Sequence, residues 1–395
     1  MSSFQKIRLP FLGLILFITT PLFLSAQGID IKGIVFEDTN GNSIKDIGEQ
    51  GIPKVVVSDQ VKTTLTNDSG EFILFSESEF PHISISQPSG YTGTYYYKKT
   101  AEMTFPLQPS KDQKKFTFIH ASDTHVDATS LPRMIRFREM ADSLNVAFVL
   151  ITGDLIRDAL RVNEATASGY YELFVNETKK FKTPVYAGVG NHELFGVERD
   201  KSLVSMEHPL YGKKMFRQYL GPNYYSFNYG GIHFISIDGV GYQNLYYYGG
   251  VDETQLAWLK SDLQPLDSKT PIITFNHIPF VSSGFSFQNF ENHPFYGPQL
   301  LQQGDEMAHR HLVHNFDEVQ KRMGDRPYPL ALSGHYHAAQ TSTVIGSNTV
   351  FAQTSAIKGP DSFMYNGFEV RSGFTLYEVE EGTIVTSTFI PLNFE

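Results

Sequence analysis

Side chains that bind metal ions in proteins follow several short apolar segments of this 395-residue sequence. These side chains are Asp123, His125, Asp154, Asn191, His277, His335 and His337. The segment before each one is rich in Val, Ile, Leu, Phe or Ala and predicts a buried strand. Because an α/β sheet brings the ends of its strands to one edge, we expect these donors to meet there. The chain has no cysteine, so the donor set favours hard or borderline ions such as Mn, Fe or Zn.

The residue types suit two ions that share one ligand. We expect one ion to be bound by Asp123, His125 and His337, and the other by Asn191, His277 and His335. The carboxylate of Asp154 would bridge the two. Two ions about 3.5–4 Å apart hold a shared hydroxide and present it as a nucleophile near neutral pH. In "HYH" (335–337), we expect both histidines to face one cavity, because side chains two residues apart lie on one side of an extended backbone.

These motifs resemble those of the calcineurin-like metallophosphoesterases. The matching segments are "DTH" (123–125), "GD" (153–154), "GNHE" (190–193), His277 in "NHIPF", "GHYH" (334–337) and the connecting stretches 220–238 and 249–263. The resemblance runs from about residue 115 to 345, and we expect it to continue to the C-terminus. It implies a phosphoesterase with the metal ligands given above. It also implies that His192 contacts the substrate phosphate and protonates the leaving oxygen, a task that suits an imidazole. It gives no role to Glu193.

Two side chains next to these motifs are candidate substrate contacts, His192 and Arg157. For His192, the alternative is a loop histidine whose ring is satisfied by backbone groups. Purple acid phosphatases carry a tyrosine three residues after the "GD" aspartate, whereas this chain has Arg157, which argues against an iron–tyrosinate centre. The guanidinium of Arg157 either binds a substrate phosphate or, as we favour, pairs with Asp158 on a solvated turn.

The surrounding pattern divides the chain into a signal peptide and two domains. Residues 1–26 have a basic start, an apolar run and "LSA", which predict a signal peptide, with a membrane anchor as the alternative. Residues 28–108 contain short alternating strands and predict a small all-β domain, a β-sandwich. A polar linker (106–115) precedes the α/β domain at 115–395, where helices at 131–144 and 170–181 alternate with strands. Together with the resemblance, this predicts a four-layer αββα sandwich.

The N-terminal domain contains a candidate calcium loop, "DTNGNSIKDIGE" (38–49). Oxygen-bearing side chains stand at the ligand positions of an EF-hand loop, namely Asp38, Asn40, Asn42, Asp46 and Glu49. Ser43 departs from that pattern, which has glycine at its sixth position, and the alternative is a polar hairpin loop. Residues 33–57, with "TNDSGEF" (66–72), resemble the calcium-binding B-type repeats of bacterial surface proteins and the β-sandwich domains that precede some secreted bacterial phosphoesterases.

A long segment, 281–328, separates the fourth and fifth motifs. Phe290, His293 and Tyr296 in this segment are candidates for a lid over the site. We expect residues 309–314 to lie in a surface helix with exposed histidines. The tyrosines of "LYYYGG" (245–250) either stack on a ligand or pack in the core.

Charge narrows the classes of function. A formal net charge of −10 argues against a nucleic-acid-binding face. We expect a secreted or periplasmic phosphomonoesterase or phosphodiesterase, with no membrane span after signal cleavage. Its substrate would be a phosphorylated small molecule, a nucleotide or a lipid head group. The alternative is a surface binding or adhesion protein with an inactive phosphoesterase domain.

Overall fold

The computed structural model describes residues 28–284, 299–365 and 367–394. The predicted signal peptide at 1–26 lies outside the described residues, as do the lid candidates Phe290, His293 and Tyr296. Within the described ranges, none of the helices is both long enough and apolar enough to cross a membrane.

The N-terminal domain is a β-sandwich of two four-stranded sheets. Its strands are β1 (Ile29–Glu37), β2 (Val56–Ser58), β3 (Thr63–Leu65), β4 (Glu71–Ser76), β5 (His82–Ile85), β6 (Tyr91–Thr92), β7 (Tyr96–Lys98) and β8 (Glu102–Pro109). The sheets have the orders β4-β1-β8-β6 and β3-β2-β5-β7. Strand β4 alternates exposed and buried residues, which directs Phe72 and Leu74 into the core between the sheets. Because β8 continues to Pro109, the connection to the next domain is shorter than the predicted linker.

The C-terminal domain contains all six α-helices of the described chain and most of its strands. Its strands are β9 (Lys115–Ala121), β10 (Phe148–Ile151), β11 (Val185–Ala187), β12 (Tyr225–Tyr229), β13 (Ile232–Ser236), β14 (Val240–Gln243), β15 (Tyr246–Gly249), β16 (Ile272–Phe275), β17 (Leu300–Gln303), β18 (Glu306–His309), β19 (Leu330–Ser333), β20 (Gln340–Thr343), β21 (Val350–Gln353), β22 (Ser362–Tyr365), β23 (Phe368–Arg371), β24 (Gly373–Glu380) and β25 (Thr383–Pro391). Its helices are α1 (Leu131–Leu144), α2 (Glu164–Thr178), α3 (Arg199–Ser202), α4 (Lys214–Leu220), α5 (Glu253–Leu263) and α6 (Phe316–Met323).

Local sequence sets the ends of the first two helices. Helix α1 spans the predicted residues, with a proline in its first turn and Asn145 in the left-handed conformation at its C-cap (φ 49°). Helix α2 begins earlier than predicted because the Asn163 side chain caps it by accepting a hydrogen bond from the backbone N–H of Thr166.

Two sheets form the centre of this domain, in the orders β11-β10-β9-β24-β25 and β12-β13-β16-β19-β21-β20. Aromatic side chains such as Phe118, Phe148 and Phe234 fill the space between them. Helices α1 and α2 pack on the outer face of the first sheet, and α5 and α6 pack on the outer face of the second. This is the predicted four-layer αββα sandwich, in which alternate residues of each strand contact the opposite sheet and the helices.

The predicted helix over residues 309–314 is wrong. Strands β17 and β18 form a hairpin closed at Gly304, whose φ of 58° belongs to a tight turn rather than to a helix. Val313 then pairs with Gly249 in an isolated parallel bridge, and α6 starts only at Phe316. Tertiary pairing therefore overrides the helical pattern, and His311 and His314 are partly buried rather than exposed.

Candidate metal centre

Side chains that follow β9, β10, β11, β16 and β19 converge at one edge of the two central sheets. Among the described residues, three groups have ligand atoms within 4.8 Å of one another. The first is Asp123, His125 and His337, the second is Asp154, His277 and His335, and a third, His125, Asp154 and His192, links these two. The amide oxygen Oδ1 of Asn191 completes the second group, at 3.1 Å from Nε2 of His277. The structure thus brings together all the residues that the sequence analysis selected as metal ligands.

Asp154 lies between the two groups. Its Oδ2 is 3.1 Å from Nε2 of His277 and 3.6 Å from Nε2 of His125. In the first group, Oδ1 of Asp123 is 3.0 Å from Nε2 of His337. One carboxylate therefore reaches both groups, as a bridging ligand must.

The backbone at the site is strained. Positive φ angles occur at Asp123 (53°), His125 (39°), Asp154 (50°), His335 (76°) and His337 (59°). This left-handed region is unfavourable for residues other than glycine. Non-glycine residues held in it concentrate at functional sites. The two histidines of "HYH" lie in a bend rather than in extended backbone. The predicted reason for their shared orientation is therefore wrong, because the left-handed turns, and not strand alternation, aim the two rings.

Glu193, to which the sequence analysis gave no role, holds the turn that carries Asp154. Its fully buried carboxylate accepts hydrogen bonds from four backbone N–H groups: Asp154 (3.0 Å), Leu155 (2.8 Å), Ile156 (3.2 Å) and Gly190 (2.6 Å). Burial, followed by the Asp154 charge, raises the pKa of Glu193 to about 8, and the N–H donors oppose this rise. Because all four donors need an acceptor, the ionised carboxylate fits the site best.

Backbone carbonyls orient three of the histidine rings. The Nδ1 atom of His277 lies 2.8 Å from the carbonyl oxygen of Thr152. The carbonyl oxygen of Arg157 lies 2.6 Å from Nδ1 of His192 and 3.4 Å from Nδ1 of His125. A proton on Nδ1 leaves the lone pair of Nε2 for the cluster, which is how outer partners usually fix metal-binding histidines.

The charges within the cluster shift its proton affinities. Burial raises the pKa of Asp123 and Asp154, but the neighbouring histidines outweigh burial and hold both pKa values well below their usual range. For His277, burial is outweighed by Asp154 and Asp123, which raise its pKa to about 9. For His125, burial and then the charge of His192 lower the pKa to about 3. The carboxylates are therefore ionised, as ligands to a cation require.

The cluster fits the metal ions that its donor set implies. Nε2 of His125 is buried and makes no hydrogen bond, and Oδ1 of Asp123 is buried 3.0 Å from Nε2 of His337 in a geometry that forms none. An orphaned buried acceptor is costly unless a cation or another donor satisfies it. Carboxylate, amide and imidazole donors together suit Mn, Fe or Zn.

His192 is partly accessible at this edge, with 22 % of its side chain exposed, as is His337 with 32 %. Its Nε2 lies 3.8 Å from Oδ2 of Asp154, and its backbone N–H donates to Oδ1 of the same residue. Nδ1 therefore meets a backbone carbonyl, as one alternative predicted, while Nε2 faces the cluster. Contact of His192 with a substrate stays a prediction.

The predicted pairing of Arg157 with Asp158 is wrong. Arg157 binds Asp127 at 2.6 Å, and Asp158 binds Arg161 at 2.8 Å. Asp127 is held ready for this contact by hydrogen bonds from Thr129 and from the Ser130 backbone. The Arg157 side chain is 59 % exposed, and its role in substrate binding stays a prediction.

Lys358 was missed because it follows the last motif and belongs to none of the motifs. Its backbone N–H donates to the carbonyl oxygen of Asp123 at 3.2 Å, which places it beside the first group. Burial lowers the pKa of the Lys358 ammonium group, while the charges of Asp123 and Asp154 oppose that shift. A partly buried cation thus lies next to the acidic side of the cluster.

The candidate calcium loop is closed by its own hydrogen bonds. Asp38 accepts from the backbone N–H groups of residues 41–43, and Ser43 has the left-handed backbone (φ 62°) that glycine adopts in an EF-hand. The Asp46 carboxylate accepts from the amides of Asn40 and Asn42, and Glu49 accepts from the Asp46 N–H. Calcium binding stays a prediction.

Two family models match this chain. The family model described as "Calcineurin-like phosphoesterase" matches residues 116–339, and "N terminal of Calcineurin-like phosphoesterase" matches residues 38–121. The Bacillus subtilis (strain 168) protein "Uncharacterized protein YvnB" is 24% identical over 255 residues, which cover 60% of this chain and 16% of that protein. The chain thus spans a small part of that relative's length.

Two solved structures are also similar. A dimetal phosphatase from Danio rerio is 15% identical, covers 70% of this chain and 99% of its own, and has a TM-score of 0.43. The purple acid phosphatase PPD1 from yellow lupin (Lupinus luteus) is 13% identical, with 93% and 70% covered and a TM-score of 0.43.

Proposed function

The chain belongs to the calcineurin-like phosphoesterase family, and we propose that it hydrolyses phosphoesters with two transition metal ions bound at the cluster. The main support for this proposal is the position of Asp154, whose Oδ2 faces His277 of one group and His125 of the other. Asp123, His125 and His337 would hold one ion, and Asn191, His277 and His335 the other. When bound, such a pair supplies a hydroxide nucleophile and stabilises negative charge on the phosphoryl oxygens.

The role of the protein itself is to position groups and to move a proton. The Arg157 carbonyl orients the ring of His192 so that Nε2 faces the cluster. A protonated Nε2 can donate to the oxygen of the leaving group as the phosphorus–oxygen bond breaks. Glu193 and the left-handed turns hold the carboxylate of Asp154 in place before substrate arrives, which is the preorganisation that catalysis requires.

The surroundings of the cluster suggest the class of substrate. Arg157 and Lys358 place two cations near the first group, where they would bind phosphate oxygens or a second acidic group of the substrate. We therefore propose a phosphorylated small molecule, nucleotide or lipid head group as substrate. A secreted or periplasmic location and calcium in the N-terminal domain belong to the same proposal, since both rest on the sequence pattern.

Steady-state hydrolysis of an aryl phosphomonoester and an aryl phosphodiester tests this function. Protein without residues 1–26 would be loaded with Mn, Fe or Zn and compared with a chelated control. We expect turnover that chelation abolishes, and the preferred ester identifies a monoesterase or a diesterase. Equal rates with and without chelator would contradict the proposed function.

A further inference from the structure

One ring of the cluster is oriented differently from the others. The rings of His125, His192 and His277 meet backbone carbonyls with the nitrogen that faces away from the cluster. For His335, the corresponding partner is a side chain, because Nε2 of His335 lies 2.6 Å from Nδ1 of His311. We infer that His311 is a positioning residue that fixes the ring of His335 for metal binding. Nothing in the motifs assigns this role to residue 311, which lies between the fourth and fifth of them.

The positions of the ring atoms determine which nitrogen carries the proton. Nδ1 of His335 faces the cluster, 3.0 Å from Nε2 of His277. A metal ligand needs a lone pair on the atom that faces the ion, so Nδ1 of His335 is unprotonated and its proton is on Nε2. Two ring nitrogens 2.6 Å apart need one proton between them. Nε2–H of His335 therefore donates to Nδ1 of His311.

His311 is itself held by its neighbours. Its backbone N–H donates to Nδ1 of His309 (2.9 Å), and its carbonyl accepts from the hydroxyl of Tyr336 (3.3 Å). Its ring centroid is 6.3 Å from that of Tyr247, and the guanidinium of the fully buried Arg310 lies over the Tyr247 ring at 4.2 Å. A side chain fixed in this way can hold its partner in one orientation.

His311 should affect the binding of only one of the two proposed ions. His335 belongs to the group with Asp154 and His277, so His311 acts on the ion bound there and not on the ion bound by Asp123. Outer partners of metal-binding histidines typically contribute about 10- to 100-fold to metal affinity. This inference rests on the proposed metal centre but not on the proposed reaction.

The two metal affinities can be measured without hydrolysis by titrating metal-free protein with Co²⁺. Calorimetry and the visible absorption of the bound ion monitor the titration. The variant His311→Leu removes the acceptor and should weaken one of the two binding steps by about 10- to 100-fold. His311→Asn offers an amide oxygen near the position of Nδ1 and should restore most of that affinity. His314→Leu is the matched control, because His314 lies on the same segment and its ring contacts the Gly249 carbonyl rather than a metal ligand.

Two results would overturn this inference alone. The first is a His311→Leu variant that binds both ions as tightly as the wild type. The second comes from a measurement that needs no variant. ¹⁵N imidazole spectra of the wild-type protein report which ring nitrogen of His335 is protonated. We expect the proton on Nε2, and a proton on Nδ1 would contradict the assignment. A wild type that bound no Co²⁺ at all would overturn both the metal centre and this inference. A wild type that bound two ions but hydrolysed no phosphoester would overturn only the proposed reaction, and the affinities and spectra would still decide the role of His311.

Discussion

Replacement of Glu193 by glutamine should destabilise the C-terminal domain and loosen the turn of Asp154. The carboxylate of Glu193 is fully buried, with two N–H donors at each oxygen. Glutamine keeps one oxygen but places an NH₂ group where the other was, so two backbone donors lose their acceptor. Each buried donor left unsatisfied costs about 1–3 kcal/mol, so we expect a loss of about 2–6 kcal/mol.

The assay is urea unfolding of metal-free Glu193→Gln, with the free energy of unfolding obtained from the midpoint and the slope of the transition. The matched control is Glu172→Gln on the exposed side of α2, which should unfold like the wild type. Metal affinity should also fall in Glu193→Gln, because the backbone N–H of Asp154 donates to the Glu193 carboxylate and loses that constraint in the variant. A stability within about 0.5 kcal/mol of the wild type would refute the reasoning, since that is the ordinary effect of a surface substitution.

Three further results are expected. His192→Ala should keep its metal content but lose about 10²- to 10⁴-fold in turnover, because Nε2 is the predicted proton donor; unchanged turnover would remove that role. Burial lowers the pKa of His120 to about 3 from an ordinary value of 6.5, so the unfolded chain takes up this proton first and stability should fall as the pH drops from 6.5 towards 3. In His120→Gln, the free energy of unfolding, measured with urea at several pH values, should fall less steeply with decreasing pH, by at most about 1.4 kcal/mol per pH unit. An unchanged pH dependence would exclude His120 as its source. Millimolar calcium should raise the thermal midpoint of the N-terminal domain, and Glu49→Gln should abolish the rise, whereas equal midpoints with and without calcium would argue for a hairpin loop.

The positions of the ligands could be predicted because strand ends are visible in the sequence. Each apolar run, such as the one that becomes β10, is short and ends at a polar residue, and the ends of such strands meet at one edge. The helix α1 was predictable for a similar reason, since its proline start and asparagine stop are local signals.

Features that depend on tertiary contacts could not be predicted in this way. The bond between His311 and His335 joins residues that are 24 positions apart, and residues 309–314 were predicted as a helix because the pairing of Val313 with Gly249 leaves no local signal. The hydrogen bonds of Glu193 reach back 37–39 residues to the "GD" turn. The left-handed backbone at His335 was missed because only the packed site imposes that conformation on a residue other than glycine.

The most direct test of the account is a crystal of the Mn²⁺-loaded protein measured at the manganese absorption edge. The account predicts two anomalous peaks, one beside Asp123, His125 and His337 and one beside Asn191, His277 and His335, with Asp154 touching both. A single ion elsewhere, or no peak at this edge of the sheets, would contradict the two-metal centre. That outcome would favour a surface binding protein with an inactive phosphoesterase domain.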